Sequence, residues 1–355
     1  MSRQKQLRVI VIGAMIPGSR TLQRTRAARE LGHRVSVIST VPDGRRYEDT
    51  PSLSTRIRYR LRLPEDPVGA NQRLFDGAQR GCDIVWMENA PMIRRHTLER
   101  VRNIPSPPRI VWFAEDDMMS RRHGSWFLDR SLHLFDLWVT TKSFNALPDE
   151  MPARGVRRVL FVNNSFDPLI HRPVEISSQE KEKFGCGVSF VGTYERPRAE
   201  SLLHLAQSGI RVRVWGGGWN RARVSHPLLQ IENRPVYDDD YTKVICASGI
   251  NLAFLRKSNR DLQTTRSMEI PACGGFMLHE RNSEITALFR ENEEAAYYST
   301  DKELVVNCRR WLADEADRRR IAAGGHHKAM SGGFTHHDIL RTVFNAATDS
   351  PTISE

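Results

Sequence analysis

The densest group of residues able to do chemistry runs from Asn251 to Gly275. An apolar stretch from Asn251 to Leu255 delivers the chain to a basic loop carrying Arg256, Lys257 and Arg260. A helix is expected to start near Gln263 or Thr264, with Thr264 or Thr265 placed to cap it. Its first N–H groups lack internal partners and sit at the positive end of the helix dipole, which together with the cations suits a diphosphate. Glu269, about one turn into that helix, is a carboxylate that can accept two hydrogen bonds from ribose hydroxyls. Asp261, eight positions earlier, lies in the loop that would face a sugar. Taken alone, the same residues also read as a capped helix beside a solvated basic loop.

A second group is Glu115-Asp116-Asp117, directly after the apolar run Arg109–Phe113. Ligands of α/β folds gather at that edge of a sheet. One of these carboxylates can touch an acceptor hydroxyl or serve as general base, and a turn with a helix cap is the plainer alternative. His123 is close enough in sequence to reach a sugar, or is a surface histidine. Gly13 and Gly18 lack the order of a dinucleotide fingerprint and read as a glycine-tolerant loop lining a cleft. Arg56-Ile-Arg-Tyr-Arg-Leu-Arg-Leu63 alternates strictly. As a strand it would put Arg56, Arg58, Arg60 and Arg62 on one face. That face suits an anionic acceptor, a phospholipid surface or a nucleic-acid backbone, or is a charged edge that resists pairing. Asp238-Asp239-Asp240 reads as an acidic helix start rather than a metal cluster. His326-His327 and His336-His337 read as flexible surface residues, and no metal site is expected.

These residues need elements to hold them. Leu7–Gly13 is a continuous apolar run ending in glycine, followed by helical spacing of Leu22, Ala27, Ala28 and Leu31, then the apolar run Arg34–Ser39. That is a βαβ unit, which implies a parallel sheet. Cys82–Met87, Arg109–Phe113, Phe135–Thr140 and Arg158–Val162 continue the series as strands. A second α/β series starts at Val188–Gly192 and adds strands at Arg211–Trp215, Gly249–Phe254 and Gly275–Leu278. The stretch from Asp301 through Ala323 reads as helix, and Gly324-Gly325 and Gly332-Gly333 as breaks before a last helix from about Thr335 to Ala347. The expected organisation is a first domain over 1–168, a linker over 169–185, a second domain over 186–330, and a terminal segment, 331–350, crossing back to the first domain.

With 355 residues and 39% hydrophobic content, the chain can bury two cores. Lys and Arg number 53 against 42 Asp and Glu, a net charge of +11 that favours anionic partners. Five scattered cysteines without a Cys-x-x-Cys pair argue against a disulfide framework or structural zinc and fit the cytosol. Arg3 and Lys5 before the apolar Val9–Ile12 superficially resemble a leader, but the run is short and suits a first strand better. No stretch approaches the roughly 18 apolar residues of a membrane span.

Several segments carry a family likeness: Val188–Arg196, Val212–Trp219, Gln263–Leu278 and Asp301–Leu304, with Phe113–Met118, Phe135–Ser143 and Asn164–Pro173 upstream. In these the chain resembles the CgeB-like glycosyltransferases, whose C-terminal part is a "glycosyl transferases group 1" domain. The resemblance covers nearly the whole chain. It implies a GT-B fold, two Rossmann-like domains facing across a cleft, and a metal-independent retaining enzyme with no tightly bound cofactor. The donor would be a UDP-, GDP- or dTDP-sugar held by the second domain, and the acceptor a glycan, small molecule or protein. In the group's Glu-x7-Glu pair the second Glu binds ribose, and Glu269 stands there; the first position holds Asp261, one methylene shorter. The diphosphate is usually neutralised by an Arg and a Lys. Arg196 or Arg198, after the Gly192 loop, matches the first, and Lys257 the second, with Arg266 as its rival. Trp215 and Gly216, in the second matching segment, join the donor side.

Three other readings compete with that one. A DNA-modifying glycosyltransferase would keep the donor site and track phosphates with the arginine face. A non-catalytic GT-B protein would bind a nucleotide without transfer. A dinucleotide-dependent oxidoreductase would need a glycine fingerprint in the first domain, and none is present.

Overall fold

The computed structural model describes residues 5–349, so Arg3 of the leader-like start lies outside the described residues. The chain forms two compact units: one runs up to Asn163 and resumes from His336, the other spans Asn164–Thr335. Each is built on a six-stranded, wholly parallel sheet flanked by helices, a Rossmann-like α/β unit as expected.

In the first unit the order is β1 (Arg8–Gly13), α1 (Arg20–Glu30), β2 (Arg34–Ser39), α2 (Leu53–Arg60), α3 (Ala70–Gln79), β3 (Ile84–Glu88), α4 (Arg95–Arg102), β4 (Arg109–Ala114), α5 (Trp126–Asp129), β5 (Leu137–Thr140) and β6 (Val159–Phe161). Across the sheet the strands lie β2-β1-β3-β4-β5-β6. β1, β3 and β4 are nearly all apolar because helices cover both sheet faces. The order reverses between β1 and β3, and the crevice beyond the carboxyl ends of such strands is where α/β sheets bind ligands.

The second unit runs α6 (Ser178–Phe184), β7 (Val188–Val191), α7 (Arg196–Gln207), β8 (Val212–Trp215), β9 (Leu229–Ile231), α8 (Asp238–Ala247), β10 (Ile250–Ala253), α9 (Arg266–Ala272), β11 (Met277–Glu280), α10 (Ser283–Leu288), β12 (Ala296–Tyr298), α11 (Asp301–Ala313) and α12 (Glu315–Ser331). Its sheet order is β12-β11-β10-β7-β8-β9, which is the dinucleotide-fold order, with the switch point between β7 and β10. The last helix, α13 (His336–Thr348), returns to the first unit. There Ile339, Leu340, Val343 and Phe344 join the core of Val9, Val11 and Trp86.

Four local expectations are corrected. Arg56–Leu63 is not a strand: the chain is helical over Leu53–Arg60, opened by Ser52, whose Oγ accepts from the Thr55 N–H, and closed by Arg62 at φ 61°. A lone alternating strand would need a neighbour for its N–H and C=O groups, whereas a capped helix satisfies its own. Gly324-Gly325 do not break the chain but sit inside α12, where a Cβ would lie 2.1 Å and 2.4 Å from the carbonyl oxygens of Glu293 and Glu294. Glycine there serves close approach, not a turn. The polar stretch 169–185 falls inside the second unit, where α6 carries a Ser177–Glu180 capping box and Glu180 pairs with Lys243 on α8 at 3.0 Å. Three of the four paired histidines are engaged rather than free: His336 is fully buried, His337 bonds Glu30 at 2.7 Å, and His326 Nδ1 lies 3.0 Å from the Ala272 carbonyl, while His327 is exposed as expected. Asp238–Asp240 open α8, an acidic first turn facing the positive dipole end.

Candidate functional site

At the switch point of the second unit, the loops after β7, β8 and β10 converge with α9. The β7 and β8 loops are laced by backbone bonds: Gly192 N–H to Trp215 O at 2.8 Å and Tyr194 N–H to Gly217 O at 3.0 Å. Trp219 Nε1 donates to Gly192 O at 2.8 Å. Gly216 adopts φ +147°, and a Cβ on it would stand 2.0 Å from that same Gly192 oxygen. Gly216→Ala should therefore cost about 3 kcal/mol or more, since both the backbone conformation and the contact forbid it. The measurement is thermal unfolding, and an unchanged midpoint would contradict the packing described.

Arg198, on the first turn of α7, is buried. Its Nη1 donates to Thr193 O at 3.1 Å, its Nε lacks a hydrogen-bond partner, and Glu195 Oε2 stands 3.4 Å off. Arg266 opens α9, with Nη2 3.4 Å from Phe254 O and a buried Nε that is also unpartnered. Both guanidinium groups lie over the Phe190 ring, at 5.5 and 5.7 Å. Burial, then the charge of Arg266, pull the Arg198 pKa down to about 10, and burial lowers that of Arg266. Both remain protonated at neutral pH, so the shifts report charge held in a dry place without a full counter-ion. An anion with several oxygens would relieve it.

The nearby carboxylates are engaged. Glu195 accepts from Ser258 Oγ at 2.8 Å, and Glu280 takes Lys257. Asp261 is nearly buried and bound into its own loop, by Asn259 Nδ2 at 2.6 Å and Arg256 N–H at 3.3 Å, with Arg256 Nε at 3.8 Å. Arg260 turns that loop at φ 47°. The four candidate cations thus separate: Arg198 is buried and Arg266 half-buried, both over Phe190, whereas Arg196 is exposed on Glu200 and Lys257 is exposed on Glu280.

Glu269 lies on α9 with its side chain 10% exposed, and His171 Nε2 stands 3.8 Å from its Oε1. His171 Nδ1 is held by the Asp167 backbone, 3.1 Å from its N–H and 3.2 Å from its carbonyl oxygen, which turns Nε2 toward Glu269. The Tyr241 hydroxyl is buried beside Glu269; burial first, then the charge of Glu269, hold its pKa well up. Glu269 is therefore a mostly dehydrated carboxylate with unused acceptor capacity, as a ribose diol would require. His171 and Tyr241 escaped the sequence reading because they are far from Glu269 along the chain and no spacing links them. Thr265 is the N-cap residue of α9 but makes no capping bond; Ser267 Oγ accepts the Thr264 N–H at 3.0 Å, and Thr264 Oγ1 is buried without a partner. Trp215 is fully buried, with Arg213 and Arg234 at 4.6 and 4.7 Å from its ring, and offers no face to a base.

The first unit holds a cavity of about 220 Å³ at its own switch point, lined by Ala14, Tyr47, Glu88, Asn89, Glu115, Asp116 and His123 among others. Its floor is an ion cluster. Buried Arg24 grips Glu88 with Nε at 2.7 Å and Nη2 at 3.0 Å, and reaches Glu115 at 2.8 Å; Arg20 also pairs with Glu115. Although burial opposes it, the charges of Arg20 and Arg24 hold the Glu115 carboxyl far below the usual range, so Glu115 makes a poor base. Asp117 is buried and bonded to Asn145 Nδ2 and the Met119 N–H. Asp116, the most exposed of the three, faces His123 Nδ1 at 3.5 Å. Gly13 packs on Thr21, where a Cβ would come within 2.8 Å, and Gly18 makes a turn at φ 76°. Arg56, Arg58 and Arg60 lie on α2 and are not among the lining residues. Among the described residues, no group of three or more His, Cys, Asp or Glu is placed to hold a metal ion.

Comparison with known proteins completes the picture. Residues 196–345 match a family model described as "Glycosyl transferase-like". Among solved structures, the chain is similar to an alpha-glucosyltransferase in complex with UDP and a 13-mer DNA containing a HMU base (13% identity, TM-score 0.65, 98% of this chain and 100% of that one). It is also similar to sucrose-phosphate synthase from Thermosynechococcus elongatus (12%, 0.62, 96% and 100%). A third likeness is to Anabaena HepE in complex with UDP and glucose (11%, 0.62, 96% and 99%). No curated protein sequence matches the chain. The fold is GT-B, and with the matched domain it defines the class: a glycosyltransferase.

Proposed function

We propose that the protein moves a sugar from a nucleotide-diphosphate sugar to an acceptor hydroxyl, without a metal ion and with retention at the anomeric carbon, as in CgeB-like enzymes. The observation that carries this reading is the pair of under-neutralised arginines, buried Arg198 and half-buried Arg266, at the β7/β10 switch point, one turn of α9 from the dehydrated Glu269. Arg198 and Arg266 take the diphosphate and offset the charge that grows on it as the glycosidic bond breaks, the service a metal gives in other enzymes. Glu269 takes the ribose hydroxyls, and the Asp261 loop faces the sugar. The first unit receives the acceptor in its 220 Å³ cavity, with Asp116 and His123 the side chains placed to contact it. UDP is the first nucleotide to test, because the alpha-glucosyltransferase and HepE structures hold it. We place the protein in the cytosol, since its five cysteines are all unpaired.

The test is thermal unfolding with UDP, GDP, dTDP and their sugars in EDTA, on the wild type and Glu269→Ala. A ligand at 100 times its Kd should stabilise by about 2.7 kcal/mol. Stabilisation by one nucleotide family, largely lost in Glu269→Ala, is expected. No shift with any nucleotide, from a protein that melts cooperatively, would remove the donor-site assignment.

A further inference from the structure

Helix α2 buries none of its residues. Leu53, Ile57 and the C-cap Leu61 recur every four residues and so share one face, yet they are 70%, 48% and 57% exposed. Arg56 and Arg60 flank that stripe on one side and Arg58 on the other. Arg58 pairs with Glu65 at 2.7 Å, while Arg56 and Arg60 make no ion pair among the described residues. Beyond the helix, the Arg62 carbonyl accepts the Trp126 N–H at 3.0 Å and its guanidinium lies 5.2 Å over the Trp126 ring, itself 42% exposed.

We infer that α2, with Trp126 beside it, seats the protein on an anionic lipid surface. The aliphatic stripe decides among anionic partners. A nucleic-acid backbone would satisfy the arginines and leave three large aliphatic side chains in water. A lipid interface takes both: the stripe sinks to the headgroup–acyl boundary, the arginines meet phosphates at its rim, and an indole sits at the same level. The net charge of +11 works in the same direction at long range. This goes beyond glycosyl transfer, because α2 shares no residue with the donor site or the first unit's cavity.

The experiment is flotation of the full chain with phosphatidylcholine vesicles and with vesicles carrying about a third phosphatidylglycerol. Binding is expected to the anionic vesicles only and to weaken in high salt. Leu53→Ser/Ile57→Ser/Leu61→Ser should lower partitioning at least about a hundredfold, through lost apolar burial. Arg56→Gln/Arg60→Gln should lower it about fivefold per arginine. Both variants should keep the wild-type melting point and its nucleotide-induced shift, so a failed donor site and a failed lipid site are told apart. The inference is overturned if the wild type ignores anionic vesicles, or if the serine variant floats as well as the wild type. It is also overturned if the stripe proves to hold two copies together, seen as a dimer in sedimentation that the serine variant dissociates. Duplex-DNA binding lost in the arginine variant but kept in the serine variant, without vesicle binding, would overturn it in favour of nucleic acid.

Discussion

Arg198→Met should weaken nucleotide-diphosphate binding by at least about a hundredfold while leaving the empty protein as stable as before or slightly more so. Truncating one member of a buried, charge-assisted contact costs about 2–5 kcal/mol of binding, and each 1.4 kcal/mol is a factor of ten. The empty protein gains nothing comparable from the arginine. Its charge is desolvated beside Arg266, its Nε makes no hydrogen bond and only approaches Glu195 Oε2 at 3.4 Å, and Nη1 donates to Thr193 O. Methionine keeps much of the contact with Phe190 and removes the repulsion. A residue that stabilised the fold would behave in the opposite way. Arg196→Met is the control: Arg196 is exposed on Glu200, so binding should change less than threefold. Calorimetric titration gives the affinities, and a strong effect at Arg196 with none at Arg198 would reverse the choice between them.

The second large effect is expected in the first unit. Arg24→Met should destabilise it by about 3–5 kcal/mol, because Glu88 would then hold an uncompensated charge at 4% exposure. Thr21 Oγ1 and Trp86 Nε1 would still donate to Glu88, at 2.8 and 2.7 Å, but neither carries charge. At about 2–4 °C per kcal/mol for a unit of this size, the transition should fall by roughly 10 °C. Arg24→Met/Glu88→Gln should recover most of that loss, because the stranded charge is gone. If the double variant is no better than the single, the cluster acts through packing rather than charge. The same cluster sets a pH dependence. The Glu115 carboxyl is held below its unfolded value, so its contribution is present above about pH 4.3 and is lost as pH falls through the folded value. Stability of the first unit should therefore decline steadily below about pH 5.

Most of the architecture was legible in the sequence because buried parallel strands write themselves as apolar runs. β1, β4, β7 and β10 all fall where such runs end in glycine or a polar loop. The loop proposed to hold the donor was legible as elements for the same reason: a strand, a basic loop and a short helix occur within 25 residues. Three things were not legible. The strict alternation at 56–63 suggested a strand, but whether a partner strand is available is a tertiary fact, and a serine cap was enough to decide for helix. Gly324-Gly325 looked like a break because sequence cannot show the carbonyls of Glu293 and Glu294 lying against the helix. The ranking of Arg198 over Arg196, and of Arg266 over Lys257, rests on burial. Arg196 and Arg198 sit two positions apart at the start of one helix, and only their directions distinguish them.

The central claim is that the second unit binds the diphosphate of a nucleotide through Arg198 and Arg266. Its most direct test is calorimetric titration of the wild type with UDP, GDP and dTDP, and with the corresponding nucleosides, in EDTA. One diphosphate should bind at least about a hundredfold more tightly than its nucleoside, and that advantage should vanish in Arg198→Met. A diphosphate that binds no better than its nucleoside, or binds Arg198→Met as tightly as the wild type, would contradict the assignment.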